Sequence, residues 1–206
     1  MTRGYVLTPL DFILSVEYNS SSKSFGGTSM GALHEFEREK LIIGVIYNDI
    51  RVYDAAIAAL KEQFGEIDDE SERFSFSREF SAYYDGELGG EGMRVILSFK
   101  NTVDPSRQAE IKTFTNALEA RFLGDGGRLI NLDPGFISHG RLMLATTKPT
   151  GFRIPLSDGI YTELTLFWAR GGWQKLPWTY RDYQSERVQA FLTRVRKKYL
   201  NERKNH

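Results

Sequence analysis

Leu41–Tyr47, LIIGVIY, is an apolar run whose only interruption is Gly44. A run of this kind reads as a strand buried on both faces, at the centre of a sheet. The segments on its C-terminal side decide what kind of sheet it is. Asp49 can cap a helix in which Val52, Ala55, Ala56, Ala59, Leu60 and Phe64 recur at helical spacing, and Gly65 ends it. Glu66–Ser77 contains RFSFS, which alternates like a half-exposed strand. Tyr83 and Tyr84 then precede an acidic, glycine-rich turn, DGELGGEG. Met93–Phe99, MRVILSF, is a second strongly apolar strand. Asp104-Pro105 opens another helix, with Asp as N-cap and Pro in the first turn. Ile111, Phe114, Thr115, Leu118 and Phe122 form its buried stripe, Gly124–Gly127 stops it, and Arg128–Leu132 is a short strand. This order, β-α-β-β-α-β, predicts an α+β fold of the ferredoxin-like kind, in which the first and third strands are central. A mixed sheet with another strand order is the alternative.

Beyond Leu132 the chain leaves that unit. Asp133-Pro134-Gly135 repeats the cap-plus-proline signature, so Gly135–Thr147 reads as a short helix, with LMLAT as an alternative strand. Arg153–Leu156 and Ile160–Trp168 flank Ser157-Asp158-Gly159, a hairpin turn that needs positive φ at Gly159. Pro177–Tyr183, PWTYRDY, is an aromatic loop. A final helix follows Ser185 and buries Val188, Phe191, Leu192, Val195 and Tyr199. The ferredoxin-like core therefore carries a β-hairpin extension and a C-terminal helix.

The N-terminal side differs in character. Asn19–Gly31, NSSSKSFGGTSMG, has linker composition. Residues 1–39 are expected to be a flexible extension and 40–206 a single α+β domain, with ordered protein starting between Met30 and Lys40. Tyr5–Val16 lacks the basic region and cleavage site of a signal peptide.

Composition excludes several functions. Lys+Arg 27 equals Asp+Glu 27, which argues against a protein that coats nucleic acid. The locally basic Arg194–Lys204 reads as a solvated helix face that suits the helix dipole. There is no cysteine, hence no disulfide, thiolate nucleophile or cysteine-based zinc site, and only three histidines. No metal site is indicated, the cofactor is left open, and a cytoplasmic location is expected. No apolar stretch is long enough to span a membrane.

LIIGVIYND, INLDPGFIS, LATTK, SDGIYTELTL and LPWTYRDY, in that order, resemble a prokaryotic family catalogued as domain of unknown function 4416. The resemblance covers about Lys40 to Arg203. It implies a chain beginning just before the first strand, and it implies no particular activity. Some relatives carry a GTP-binding label, but no GxxxxGK[ST] loop occurs in this sequence.

Polar residues wedged into the apolar segments of 130–183 mark the candidate site. Asp133 reads as a cap or as a carboxylate at the end of the fourth strand, near Lys100 and Asp104, able to bind metal or act as a base. His139 has the residue chemistry of a general base at neutral pH. Lys148 and Arg153 flank a short turn and could clamp a phosphate or carboxylate. Glu163 alternates with Tyr161 and Phe167 on one strand face and, if buried, needs Arg153 across the hairpin. Trp178 and Tyr180, beside Arg181, could stack a sugar or base. Asp133, Glu163 and His139 are thus the catalytic candidates. Lys148, Arg153, Tyr161, Trp178 and Tyr180 are the ligand-binding ones. The expected function is binding of a small anionic or nucleotide-like ligand, with catalysis left open. The alternatives are an interaction module that dimerises or docks a partner through its sheet, and an RNA-binding protein, which the neutral charge disfavours.

Overall fold

The computed structural model describes residues 33–203, so the expected linker at 19–31 lies outside the described residues. The fold is α+β. Its main strands are β1 (Glu39–Tyr47), β2 (Ile67–Glu70), β3 (Met93–Val103), β4 (Ile130–Ile137), β5 (Arg141–Thr146), β6 (Tyr161–Ala169) and β7 (Gly172–Lys175). The long helices are α1 (Ile50–Phe64), α2 (Gln108–Glu119) and α3 (Glu186–Arg203). The strands lie in the order β7-β6-β5-β4-β1-β3-β2, every pairing antiparallel. Phe74–Ser75 on β3 and Ile154–Pro155 on β6 complete a nine-stranded sheet, wider than the four strands a β-α-β-β-α-β unit supplies.

β1 is buried along its whole length, as an unbroken apolar strand between two neighbours must be. Its alternate side chains supply two cores. Leu41, Ile43 and Val45 pack with Val95, Leu97, Leu132 and Phe136 beneath α1 and α2. Ile42 faces the other way, with Ile96, Ile137, Leu142, Leu144 and the apolar stripe of α3: Val188, Phe191, Leu192 and Val195. The fully buried Lys40 ties α3 to the sheet, its ammonium 2.8 Å from Asp68 of β2 and 3.2 Å from Glu202. Asp49 caps α1 by accepting from the Arg51 N–H at 2.8 Å, and Gly65, at φ 90°, ends it.

Four expectations are corrected. Gly135–Thr147 is a β-hairpin, not a helix: β4 runs through Pro134-Gly135 to Ile137 and turns directly into β5. The cap-plus-proline signature misleads because Pro134 interrupts no ladder with β5. β5 pairs with β4 only over Gly135–Ile137, and Pro134 is the first residue past that pairing. Asp133 is therefore a mid-strand residue opposite Gly44, and its cationic neighbour is Arg94 at the start of β3. Lys100 instead pairs with Glu66, and Asp104 caps the turn leading into α2. RFSFS forms only the two-residue pairing at Phe74–Ser75 before a helical turn at Phe76–Glu79. The alternation expected along Ile160–Trp168 is broken by a bulge between Leu164 and Leu166.

From Gly135 back toward Ile130 the strands β4 and β5 separate, and the sheet opens between them. Gly135 holds the last point of contact: a Cβ there would stand 2.5 Å from Leu144 Cδ2 and 2.7 Å from the Met143 carbonyl oxygen. Gly135→Ala is accordingly expected to force β5 away and to destabilise the fold by about 1–3 kcal/mol, the usual cost of overpacking. Urea unfolding of the variant measures it.

Candidate functional site

The opening between β4 and β5 is a cavity of about 220 Å3. Asn131 and Asp133 line it from β4, Ala145 and Thr146 from β5, Lys112 and Asn116 from α2, and Arg94 from β3. Thr147, Lys148, Arg153 and Tyr180 border it from the segments that follow.

β4 passes the opening without a strand on that side, and α2 takes the missing partner's place. The Glu119 carboxylate accepts the Leu132 N–H at 2.6 Å, and the Lys112 ammonium donates to the Leu132 carbonyl at 2.8 Å. Both side chains are buried because they stand two turns apart on the helix stripe that faces the sheet. Burial pushes the Glu119 carboxyl up, against the opposing pull of Lys112 and Arg128. Arg128 bridges Glu119 at 2.6 Å and Glu87 at 2.8 Å.

Arg94, 2% exposed, is the largest buried side chain at the cavity. It stands 3.2 Å from Asp182 and 3.4 Å from Asp133, and it donates to the Tyr183 hydroxyl at 3.2 Å. Burial works against its charge, but Tyr183, Asp182 and Asp133 more than offset this and hold the guanidinium protonated. Its guanidinium lies over Gly44, where a Cβ would meet Nη2 at 2.6 Å; the one glycine in LIIGVIY makes that room. Asp133 also accepts from the Asn131 carboxamide at 2.7 Å.

At the outer end Arg153 makes three bonds. Nε donates to Glu163 at 2.7 Å, Nη1 to the Lys148 carbonyl at 2.6 Å, and Nη2 to the Tyr180 hydroxyl at 2.8 Å. Glu163 is 1% exposed, and its second carboxylate oxygen has no partner among the described residues. Burial raises its pKa, with Arg153 pulling the other way. The type of turn that the sequence requires at Asp158-Gly159 is present, both residues having positive φ, and it sets Ile154–Pro155 against Tyr161–Thr162.

Of the residues singled out in the sequence, Asp133, Glu163, Lys148, Arg153 and Tyr180 line one cavity. Tyr161 is half-buried and outside the lining. Trp178 stacks on Phe152, with centroids 4.7 Å apart, and donates its indole N–H to the Leu164 carbonyl at 2.8 Å. His139 is exposed at the β4–β5 turn, outside the lining, where its carbonyl accepts from Arg196. Arg94, Lys112, Asn116 and Arg128 also line the cavity, although nothing in their sequence context marks them as site residues, and Asp182, which the sequence offers only as a neighbour of the aromatic loop, joins them. Two signals were present: an arginine inside the apolar MRVILSF, and a lysine and glutamate seven apart on a helix's buried stripe. Among the described residues no three histidine, aspartate or glutamate side chains are grouped to hold a metal ion.

Fold and site define a mixed α+β protein with a charged cavity at a split in an antiparallel sheet. The chain belongs to the family described as Domain of unknown function (DUF4416), whose model matches residues 37–199. Neither the curated proteins nor the solved structures contain a match. No helix among the described residues is long and apolar enough to cross a membrane.

Proposed function

We propose that this chain binds a small anionic or nucleotide-like ligand in the cavity between β4 and β5. The observation that carries the reading is the charge around one opening. Arg94, Lys112, Arg128, Lys148 and Arg153 face it, against Asp133, Glu163 and Asp182. Among the described residues Lys148 is the lining cation with no carboxylate within ion-pair distance; its ammonium reaches only the Tyr83 hydroxyl, at 3.4 Å. An exposed, unneutralised ammonium at the mouth of a cavity is the group an incoming anion meets first. Asp133, partly exposed inside, is the carboxylate we assign to a ligand proton, while Glu163 serves to hold Arg153. The strand order β4-β1-β3-β2 supports reading this half of the sheet as a ferredoxin-like unit, widened by β5, β6 and β7.

The other readings fare less well. A docking module would need a free sheet face, yet α1 and α2 pack on one face and α3 on the other. An RNA-binding α3 would need free cations. Arg187, Arg194, Lys198 and Arg203 are each paired with a carboxylate, which leaves Arg196, held by Trp168 and the His139 carbonyl, and the exposed Lys197 as the cations of this helix outside an ion pair among the described residues.

A thermal-shift screen of the full chain tests the proposal, using inorganic phosphate, sugar phosphates, carboxylates and nucleotides. A ligand that binds only the folded state raises its melting temperature by mass action. At least one anion is expected to do so, and Lys148→Ala is expected to weaken it by about tenfold, the equivalent of about 1.4 kcal/mol. Lys148 is exposed, so its loss leaves the fold intact. Absence of any shift across the panel would sink the reading.

A further inference from the structure

The geometry points to a small polyol carrying one anionic group, rather than a nucleotide, as the ligand class of this cavity. The inference rests on the anion-binding reading above and narrows it.

Size is the first argument. The cavity is about 220 Å3, below the range of about 300 Å3 and upward typical of sites for drug-sized ligands. A sugar-sized body with one charged group suits such a space, whereas a base, a ribose and a phosphate together would have to extend beyond its mouth. Most aromatic rings at the cavity are already engaged with one another or with a cation. The flat indole of Trp178 is already covered by Phe152, in near-parallel planes 11° apart. Tyr183, which does line the cavity, is 1% exposed and lies against Arg94. Phe76 and Tyr84 line the cavity half-buried, tilted against each other, with Phe80 beside the first and Arg128 over the second. Tyr180, 42% exposed with its hydroxyl held by Arg153, is the lining ring most open to a ligand. A base gains most of its sequence-independent binding from an open aromatic face, so AMP is the probe that tests whether Tyr180 alone provides one.

The walls offer unsatisfied hydrogen-bonding groups. The Asn116 carboxamide lines the cavity half-buried and makes no hydrogen bond among the described residues. Asn131 spends its amide N–H on Asp133 Oδ2, and no described donor reaches its carbonyl. Asp133 Oδ1 is 3.9 Å from the Lys112 ammonium, beyond a hydrogen bond. One wall therefore holds neutral and anionic acceptors together with one carboxamide donor, and Lys148 stands at the mouth. Hydroxyl groups, which both donate and accept, satisfy such a wall, with the anionic group of the same molecule on Lys148. A bare phosphate satisfies the ammonium alone.

Calorimetric titration of the full chain with four probes decides the matter: inorganic phosphate, glucose 6-phosphate, gluconate and AMP. Glucose 6-phosphate or gluconate is expected to bind at least about tenfold more tightly than inorganic phosphate and than AMP, the gain expected from two or three added hydrogen bonds. In Asn116→Leu that advantage over inorganic phosphate is expected to disappear, while inorganic phosphate itself binds within about twofold of its original affinity. AMP binding as tightly as the polyols, or an undiminished advantage in Asn116→Leu, would overturn the inference and leave the anion site standing. Failure of every probe, inorganic phosphate included, would remove the anion-binding reading and this inference with it. The comparison of probes on the unsubstituted chain needs no variant to fold.

Discussion

Replacing Arg94 by Met is expected to destabilise the protein by about 3–5 kcal/mol, the usual cost of removing one partner from a buried ion pair. The cause is what remains behind. Asp182 is 3% exposed, and burial already raises its pKa even with Arg94 pulling the other way. Without the guanidinium its carboxylate has no cation within reach and must take up a proton or draw in water. Asp133 suffers less because it is partly exposed and keeps its bond from Asn131. Two measurements separate charge from packing. Denaturant unfolding of Arg94→Met gives the full effect, and the double variant Arg94→Met, Asp182→Asn is expected to recover a substantial part of it. A double variant as unstable as the single one would mean that the lost packing against Tyr183 and Gly44 dominates.

The second large effect is expected at Arg153. Arg153→Ala leaves Glu163 buried with neither carboxylate oxygen bonded, at a cost of about 3 kcal/mol near neutral pH. The cost depends on pH in a defined direction. Glu163 titrates higher in the folded protein than in the unfolded chain because burial disfavours its charge. Between the two values the folded state holds more protons, so the stability Glu163 contributes is complete below its unfolded pKa and is lost as pH rises through its folded one. Removing Arg153 takes away the group that pulls the folded value down. The loss then becomes deeper and extends to higher pH. The difference between Arg153→Ala and the unsubstituted chain should be small at about pH 5 and large at about pH 8 in urea unfolding. A difference independent of pH would show that Arg153 acts through its bonds to the Lys148 carbonyl and Tyr180 rather than through Glu163.

How far the sequence could be read follows from what kind of signal each element carries. β1, α1, β3, α2 and α3 were legible because their apolar periodicity answers directly to burial: LIIGVIY has to lie between neighbours, and the Val188–Tyr199 stripe has to face a core. The Asp158-Gly159 turn was legible for a similar local reason, since few residues tolerate positive φ. β4 and β5 were not. Asp133-Pro134-Gly135 carries a local helix-start signature, and it is overruled by pairing with β1, a partner some ninety residues away in sequence. Pairing at that distance leaves no local trace. The width of the sheet was hidden for the same reason.

The site divides along the same line. Arg153 and Glu163 could be matched in advance because a hairpin fixes which residues face each other across it. Lys148 and Asp133 could be singled out as polar groups in apolar surroundings, but not placed together. Arg94, Asp182, Lys112 and Asn116 come from separate stretches of chain that only the folded sheet brings to one opening. Nothing local distinguishes Asn116 from any polar residue on a helix surface.

Glu119 and Lys112, which hold the Leu132 peptide group, have a consequence beyond the cavity. A strand edge left open inside a sheet normally invites a second chain to add to it, by the same backbone bonds that build the sheet. Here both bonding groups of Leu132 are already occupied by charged side chains anchored on a helix. A foreign strand would have to displace two buried ions at once from the backbone groups they hold. The gap that gives the protein its cavity is thereby closed to the growth of β-aggregates, and the sheet can stay split without becoming adhesive.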